Sequence, residues 1–249
     1  MQNLLLSRIS IVVIALIPLA LAQQPARPVF VGAEQLSVAS ILPSPPANDS
    51  AKTLEELAEL HRIQETRTPE QIAHAQADEK EESMFAFADV MGPKFNRASL
   101  PFTAALSDRV KNNESVIVNP AKKFFRRPRP YHLDSALHPV CKVTENRADF
   151  SYPSGHGVTG FLEAMVLAQM VPEKRDAILA RADDYAHSRE VCGAHYASDE
   201  AASKAVAYAI IGLMINGPEF KSALAAATVE TRAALGFTPA PSNTTAGLR

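Results

Sequence analysis

His195 lies four residues before Asp199 in the segment SREVCGAHYASD that runs from Ser188 to Asp199, and a second histidine, His156, closes the sequence Pro153-Ser154-Gly155-His156. A third cluster, KKFFRRPRP from Lys122 to Pro130, places five cationic side chains within eight residues. A carboxylate on one ring nitrogen of a histidine fixes its tautomer and leaves the other nitrogen free as a nucleophile. A second histidine can deliver a proton to a leaving group. Arginine grips phosphate through two parallel hydrogen bonds, and lysine adds a compact charge. Positioning and charge neutralisation dominate phosphoryl transfer, so these groups suffice for it without a metal ion.

Each cluster alone also has an ordinary structural explanation. On a helix, residues four apart share a face, so His195 and Asp199 could form a surface ion pair. Ser154 stands before an apolar run, where an N-cap belongs; the helix start offers unpaired N–H groups, and Gly155 lets the backbone approach an anion closely. The basic cluster could contact nucleic acid, but a chain with a formal net charge of -2 offers no broad basic face, and local anion binding is the better reading. Phe124 and Phe125 predict that this run is anchored in the core, with some cations turned away from the site. Lys122 and Arg129 are the pair expected at the site; Lys123, Arg126 and Arg127 are expected on the surface, solvated or salt-bridged. Arg189 can reach the anion bound near His195 only if the backbone turns, for which Gly193 is the candidate.

The elements that must position these groups read as helices. Ser50 or Thr53 caps an amphipathic stretch bearing Leu54, Leu57, Ala58 and Ile63, and Thr68-Pro69 with Gln71 marks another start. Further helices are predicted from Pro101 to about Ile117, Gly157 to Met170, Pro172 to His187, Glu200 to Ile215 and Pro218 to Leu235. The one beginning at Gly157 is apolar enough to be buried. No alternating run bounded by hairpin turns competes, so the expected class is all-α. Residues 51–237 should form one helical domain, preceded by an extended arm over 23–50 that contains LPSPPANDS and followed by a small, polar, flexible tail over 238–249.

At the start, Arg8 precedes the apolar run Ile9 to Leu21, which ends in Ala20-Leu21-Ala22. Residues 1–22 read as a secretory signal peptide cleaved near Ala22, the alternative being a membrane anchor that the short run and Pro18 disfavour. A periplasmic or secreted location without a stable membrane anchor is therefore expected. In an oxidising compartment the two cysteines, Cys141 and Cys192, are candidates for a disulfide, each being close to a site segment; buried free thiols are the alternative. Their spacing fits neither a zinc ribbon nor a redox CxxC.

Taken together, Lys122 with Arg129-Pro130, Pro153 to His156, and Ser188-Arg189 with His195 and Asp199 fill every fixed position of the pattern KxxxxxxRP, PSGH, SRxxxxxHxxxD. The chain thereby resembles the bacterial class A non-specific acid phosphatases, within the type 2 phosphatidic acid phosphatase and vanadium haloperoxidase superfamily. The resemblance runs from roughly residue 40 to 235, and Tyr196 departs from it where tryptophan is more usual. It implies that His195 becomes a phosphohistidine, that Asp199 orients it, and that His156 is the general acid. It also implies that Lys122, Arg129, Ser154, Gly155 and Arg189 bind phosphate. The implied activity is hydrolysis of small phosphomonoesters with no metal or other cofactor and no nucleic-acid partner; vanadate and other phosphate analogues are the expected inhibitors, and a homo-oligomer is compatible with it. The two histidines need opposite protonation states, which predicts a bell-shaped rate profile centred at mildly acidic pH.

Two relatives with the same pocket would act differently: a lipid phosphate or diphosphate phosphatase, which usually spans the membrane several times, and a vanadate-dependent haloperoxidase. A simple phosphate-binding module would not need His195, Asp199 and His156 together. The remaining histidines, His61, His74, His132, His138 and His187, fill no position of the pattern. His61 and His74 are expected in structural or surface roles, and His187 is a candidate neighbour of the site.

Overall fold

The computed structural model describes residues 29–237; the expected signal peptide, the first part of the arm and the tail from 238 lie outside them. Among the described residues seven long helices carry the architecture: α1 (Ala51–Thr66), α2 (Pro69–Lys80), α3 (Pro101–Phe125), α4 (Gly155–Met170), α5 (Arg175–Val191), α6 (Ala197–Met214) and α7 (Pro218–Leu235). Single helical turns at Val38–Ile41, Ala88–Met91 and Pro130–Leu133 and short 3-10 turns connect them, and no strand occurs among the described residues. The fold is all-α. Ser50, rather than Thr53, caps α1, accepting from the Thr53 amide at 3.2 Å. Thr68 and Gln71 close a capping box on α2, with bonds of 3.3 and 2.8 Å.

Helix α4 is the hub, packed by α3, α5, α6 and α7. Val158, Leu162, Ala164, Val166, Leu167 and Met170 are all buried, so this largely apolar helix is covered on nearly every side, as its sequence predicts. Gly160 lets α5 come close: a β-carbon there would lie 2.5 Å from the Tyr185 ring.

Helix α3 corrects the expected end near Ile117. It runs to Phe125 across Pro120, whose ring removes one backbone donor. Burial of Ile117, Val118 and Ala121 carries the helix past that defect, and Arg126 ends it in the left-handed region at φ 54. Lys122 consequently sits on the last turn of a helix. Phe124 is not a core anchor, being 66% exposed; Phe125 is, with its ring edge-on to Tyr152 at 5.0 Å.

The described part of the arm is packed rather than free. Val31, Val38 and Leu42 are buried in the main core, and the amides of Phe30 and Val31 both donate to Asn113 Oδ1 of α3, at 2.9 and 2.8 Å.

A carboxyl of α4 lies inside this core. Glu163 of α4 is fully buried, takes a hydrogen bond from Ser107 Oγ at 3.0 Å, and leaves Oε2 without a partner. Burial pushes its pKa well above the usual carboxylate range. Its contribution to stability is therefore fully present below the ordinary carboxylate pKa and is lost as pH rises through the raised folded value. Thermal unfolding of the wild type should shift to lower temperature as pH rises above the ordinary carboxylate range, and Glu163→Gln should flatten that decline. Parallel slopes for the two proteins would contradict this assignment.

Candidate active site

The site is built where α3, α5 and the starts of α4 and α6 meet. At the end of α5, Gly193 adopts φ +73, a conformation that glycine takes without strain. Its amide donates to Glu190 O at 2.8 Å and the Ala194 amide to Arg189 O at 3.0 Å, so the chain reverses at the expected residue. The turn brings His195 back beside Arg189, immediately ahead of α6.

His195 and Asp199 do not share a helix face, contrary to the simplest reading of their spacing. His195 precedes α6, while Asp199 lies in its first turn and accepts from the Tyr196 amide at 3.0 Å. That capping geometry turns the carboxylate toward His195, leaving Asp199 Oδ2 3.2 Å from Nδ1. The other ring nitrogen, Nε2, faces Arg129 Nη1 at 2.9 Å. His195 is buried, and burial together with the cations of Arg129, Lys122 and Arg189 holds its pKa well below the usual value. The ring is neutral in mildly acidic solution, with Nδ1–H directed at Asp199 and the Nε2 lone pair directed at the cations.

The cations come from three elements. Lys122 projects from the last turn of α3, where burial and then neighbouring Arg129 bring its pKa down to about 8. Arg129 leads the Pro130–Leu133 turn and is fixed by a two-pronged contact with Asp149, at 2.9 and 3.2 Å. Arg189, in the last turn of α5, is buried and lies 3.8 Å from a Glu79 carboxylate oxygen; its Nε has no hydrogen-bond partner.

The start of α4 adds the fourth wall. Ser154 is its N-cap, with Oγ accepting from the Gly157 amide at 3.1 Å and the backbone carbonyl accepting from Ser203 Oγ at 2.8 Å. Gly155 occupies a place no other residue fits unchanged, because a β-carbon would fall 2.3 Å from Glu114 Oε1 of α3. His156 follows within the first turn, its Nε2 3.0 Å from Glu82 Oε1 and 3.2 Å from the Glu79 carbonyl. Burial lowers the His156 pKa; Glu82 opposes this and Arg189 reinforces it, leaving it below the usual histidine value. Cys141 and Cys192 are joined by a disulfide with Cα atoms 5.1 Å apart, tying the 140–142 segment to the turn between Arg189 and His195.

Arg127 requires a correction. Expected on the surface, it is buried, and its guanidinium binds Asp199 Oδ1 at 2.7 Å, Ser198 Oγ at 2.7 Å and Glu56 Oε2 at 2.8 Å. The same group lies 3.8 Å above the Tyr196 ring, so the tyrosine at this position lines the back of the site. A signal existed in the sequence: Glu56 falls on the α1 stripe with Thr53, Leu60 and Ile63, all buried, and a carboxylate in an apolar stripe demands a cation. Lys123 and Arg126 are exposed, as expected.

The other histidines lie outside this cluster. His61 pairs with Asp134 and His74 with Asp184, each at 2.8 Å, and His187 is half exposed beside Glu190 at 3.4 Å. His74, Asp78 and Asp184 bring potential metal-ligand atoms within 4.8 Å of one another, but Arg181 already pairs with both carboxylates.

Residues 103–222 match the model of the PAP2 superfamily, a span that contains all three clusters. A non-specific acid phosphatase of Salmonella typhi is 34% identical over 143 residues, 56% of each chain. Another from Providencia stuartii is 29% identical over 56% of this chain and 57% of its own. An acid phosphatase of Zymomonas mobilis is 32% identical over 54% of this chain and 52% of its own. The chain thus spans about half the length of the curated relatives it matches.

Proposed function

Because residues 103–222 form a PAP2 superfamily domain, we propose that the protein is an acid phosphatase that hydrolyses a broad range of small phosphomonoesters through a phosphohistidine. The observation that carries this reading is His195, neutral and buried, with Asp199 on Nδ1 and Nε2 aimed into a cationic pocket. In the first step the Nε2 lone pair attacks phosphorus, the phosphorus–oxygen ester bond breaks, and the departing oxygen takes a proton from His156. Water then attacks the phosphohistidine, gives its proton to His156, and orthophosphate leaves with Nε2 restored as a lone pair. Lys122, Arg129 and Arg189, with the amides at the start of α4, neutralise the equatorial oxygens throughout.

Acidic conditions suit this division of labour. Activity falls at low pH as His195 protonates, and falls again as His156 loses its proton at a pH below the usual histidine value. Export of the protein completes the proposal, and no helix among the described residues is long and apolar enough to cross a membrane.

The test is a panel of aryl, alkyl, sugar and nucleoside monophosphates, assayed at mildly acidic pH with and without a chelator, and again with vanadate. Orthophosphate should be released from several members, unaffected by the chelator and suppressed by vanadate. Activity that appears only after a divalent metal is added would rule the mechanism out.

A further inference from the structure

His156 has only one ring nitrogen to offer a leaving group, and the fold decides which. Its Nε2 is taken by Glu82 Oε1 at 3.0 Å and by the Glu79 carbonyl at 3.2 Å. Among the described residues Nδ1 has no partner, and it is not sealed from solvent. Glu82 belongs to the short connection after α2 and is itself anchored from the opposite side by Lys111 Nζ of α3, at 2.5 Å. The chain Lys111–Glu82–His156 therefore joins α3, the connection and the start of α4 at the edge of the pocket. It repeats on the second histidine the relation that Asp199 has to His195, with the ring reversed: Asp199 holds Nδ1 and frees Nε2, whereas Glu82 holds Nε2 and frees Nδ1.

We propose that Glu82 is a positioning residue for the proton donor: it accepts the Nε2–H of His156 and presents Nδ1–H to the oxygen that leaves phosphorus. The inference rests on the phosphatase reading above and deepens it. In the first step the Nδ1–H bond breaks as the new oxygen–hydrogen bond forms, and the His156 imidazolium becomes a neutral imidazole that keeps its other proton on Nε2, shared with Glu82.

The electrostatic surroundings agree. The charged groups facing His156 are Glu82 from the connection and Arg189 from α5, with Glu79 of α2 beside Arg189, and His195 across the pocket. Those facing Glu82 are His156, Lys111 and Glu114. Burial alone would raise the Glu82 pKa, yet His156 and Lys111 bring it down to about 2, so it is a carboxylate throughout the acidic range. Burial and Arg189 work to strip the donor proton from His156, and Glu82 opposes them most, with the Glu79 carbonyl adding to its effect.

The experiment compares p-nitrophenyl phosphate, whose leaving group needs little protonation, with a simple alkyl phosphate, whose leaving group needs a full proton. Glu82→Gln should lower kcat for the alkyl ester by about tenfold or more while p-nitrophenyl phosphate changes little, and should move the alkaline limb of the alkyl profile to lower pH. KM should be nearly unchanged. Lys111→Met should give the same split in weaker form, and an unchanged melting curve would confirm folding. Equal loss on both esters, or no loss on either, would overturn the role of Glu82. His156→Ala serves as the reference: if it shows no leaving-group split, the general-acid assignment itself fails, whereas a split for His156→Ala but not for Glu82→Gln removes only the proposal about Glu82.

Discussion

His195→Ala is expected to lower kcat for phosphomonoester hydrolysis by about a thousandfold or more, because in the proposed mechanism it removes the atom that forms the covalent bond to phosphorus. Phosphate binding should survive. Lys122, Arg129 and Arg189 come from α3, the turn after it and α5, none of which depends on the imidazole for its place. Asp199 also stays satisfied, since Arg127 and the Tyr196 amide still hold its two oxygens. The variant should therefore fold, inhibition by vanadate should be replaced by simple binding of phosphate, and label from radioactive substrate should no longer be trapped on the protein in acid-labile form. Steady-state kinetics, quenched labelling and circular dichroism together check this. Retention of full activity by a folded His195→Ala protein would refute the covalent mechanism.

The second large effect is expected at Arg127, which contacts no substrate in this mechanism. Its guanidinium bridges the buried carboxylates of Glu56 and Asp199. Breaking a buried ion pair by removing one partner costs about 3–5 kcal/mol, since the remaining charge stays buried without compensation. Arg127→Ala should lower stability by about that amount in urea denaturation, and it should also reduce activity, because Asp199 would lose the contact that fixes its orientation toward Nδ1 of His195. The double variant Arg127→Met with Glu56→Gln should recover part of the stability, as it removes the unpaired carboxylate of α1. A loss below about 1 kcal/mol for Arg127→Ala would mean that the site reorganises around the missing charge.

Much of the site was legible because its pieces are contiguous in the chain. The Ser154 cap, the turn at Gly193 and the clustering of Lys122 with Arg129 depend on neighbours a few residues away, and the structure brings Lys122, Arg129, His156 and Arg189 close enough to act on the charge of His195, with Asp199 on its ring and the Ser154 amide, just ahead of Gly155, on the Asp199 carbonyl. The spacing of His195 and Asp199 was informative for a different reason than helical periodicity suggests: the aspartate caps α6 and the histidine stands just outside it.

The sequence by itself determined the helices and the chemical inventory, because apolar period, capping residues and glycine turns act over one or two helical turns. Only the tertiary structure decided which charges are buried and whom they meet. Arg127 reaches Glu56 across 71 residues and Asp199 across 72, and His156 meets Glu82, because α1, the connection after α2 and the start of α6 converge on the same end of α4. A cation next to two phenylalanines can face solvent or core equally well on local grounds. The length of α3 follows the same rule: Pro120 argues locally for an end, and the burial of Ile117, Val118 and Ala121 against distant elements outweighs it. Burial of a charge and continuation of a strained helix are settled by what covers them, and that is a property of the packed chain.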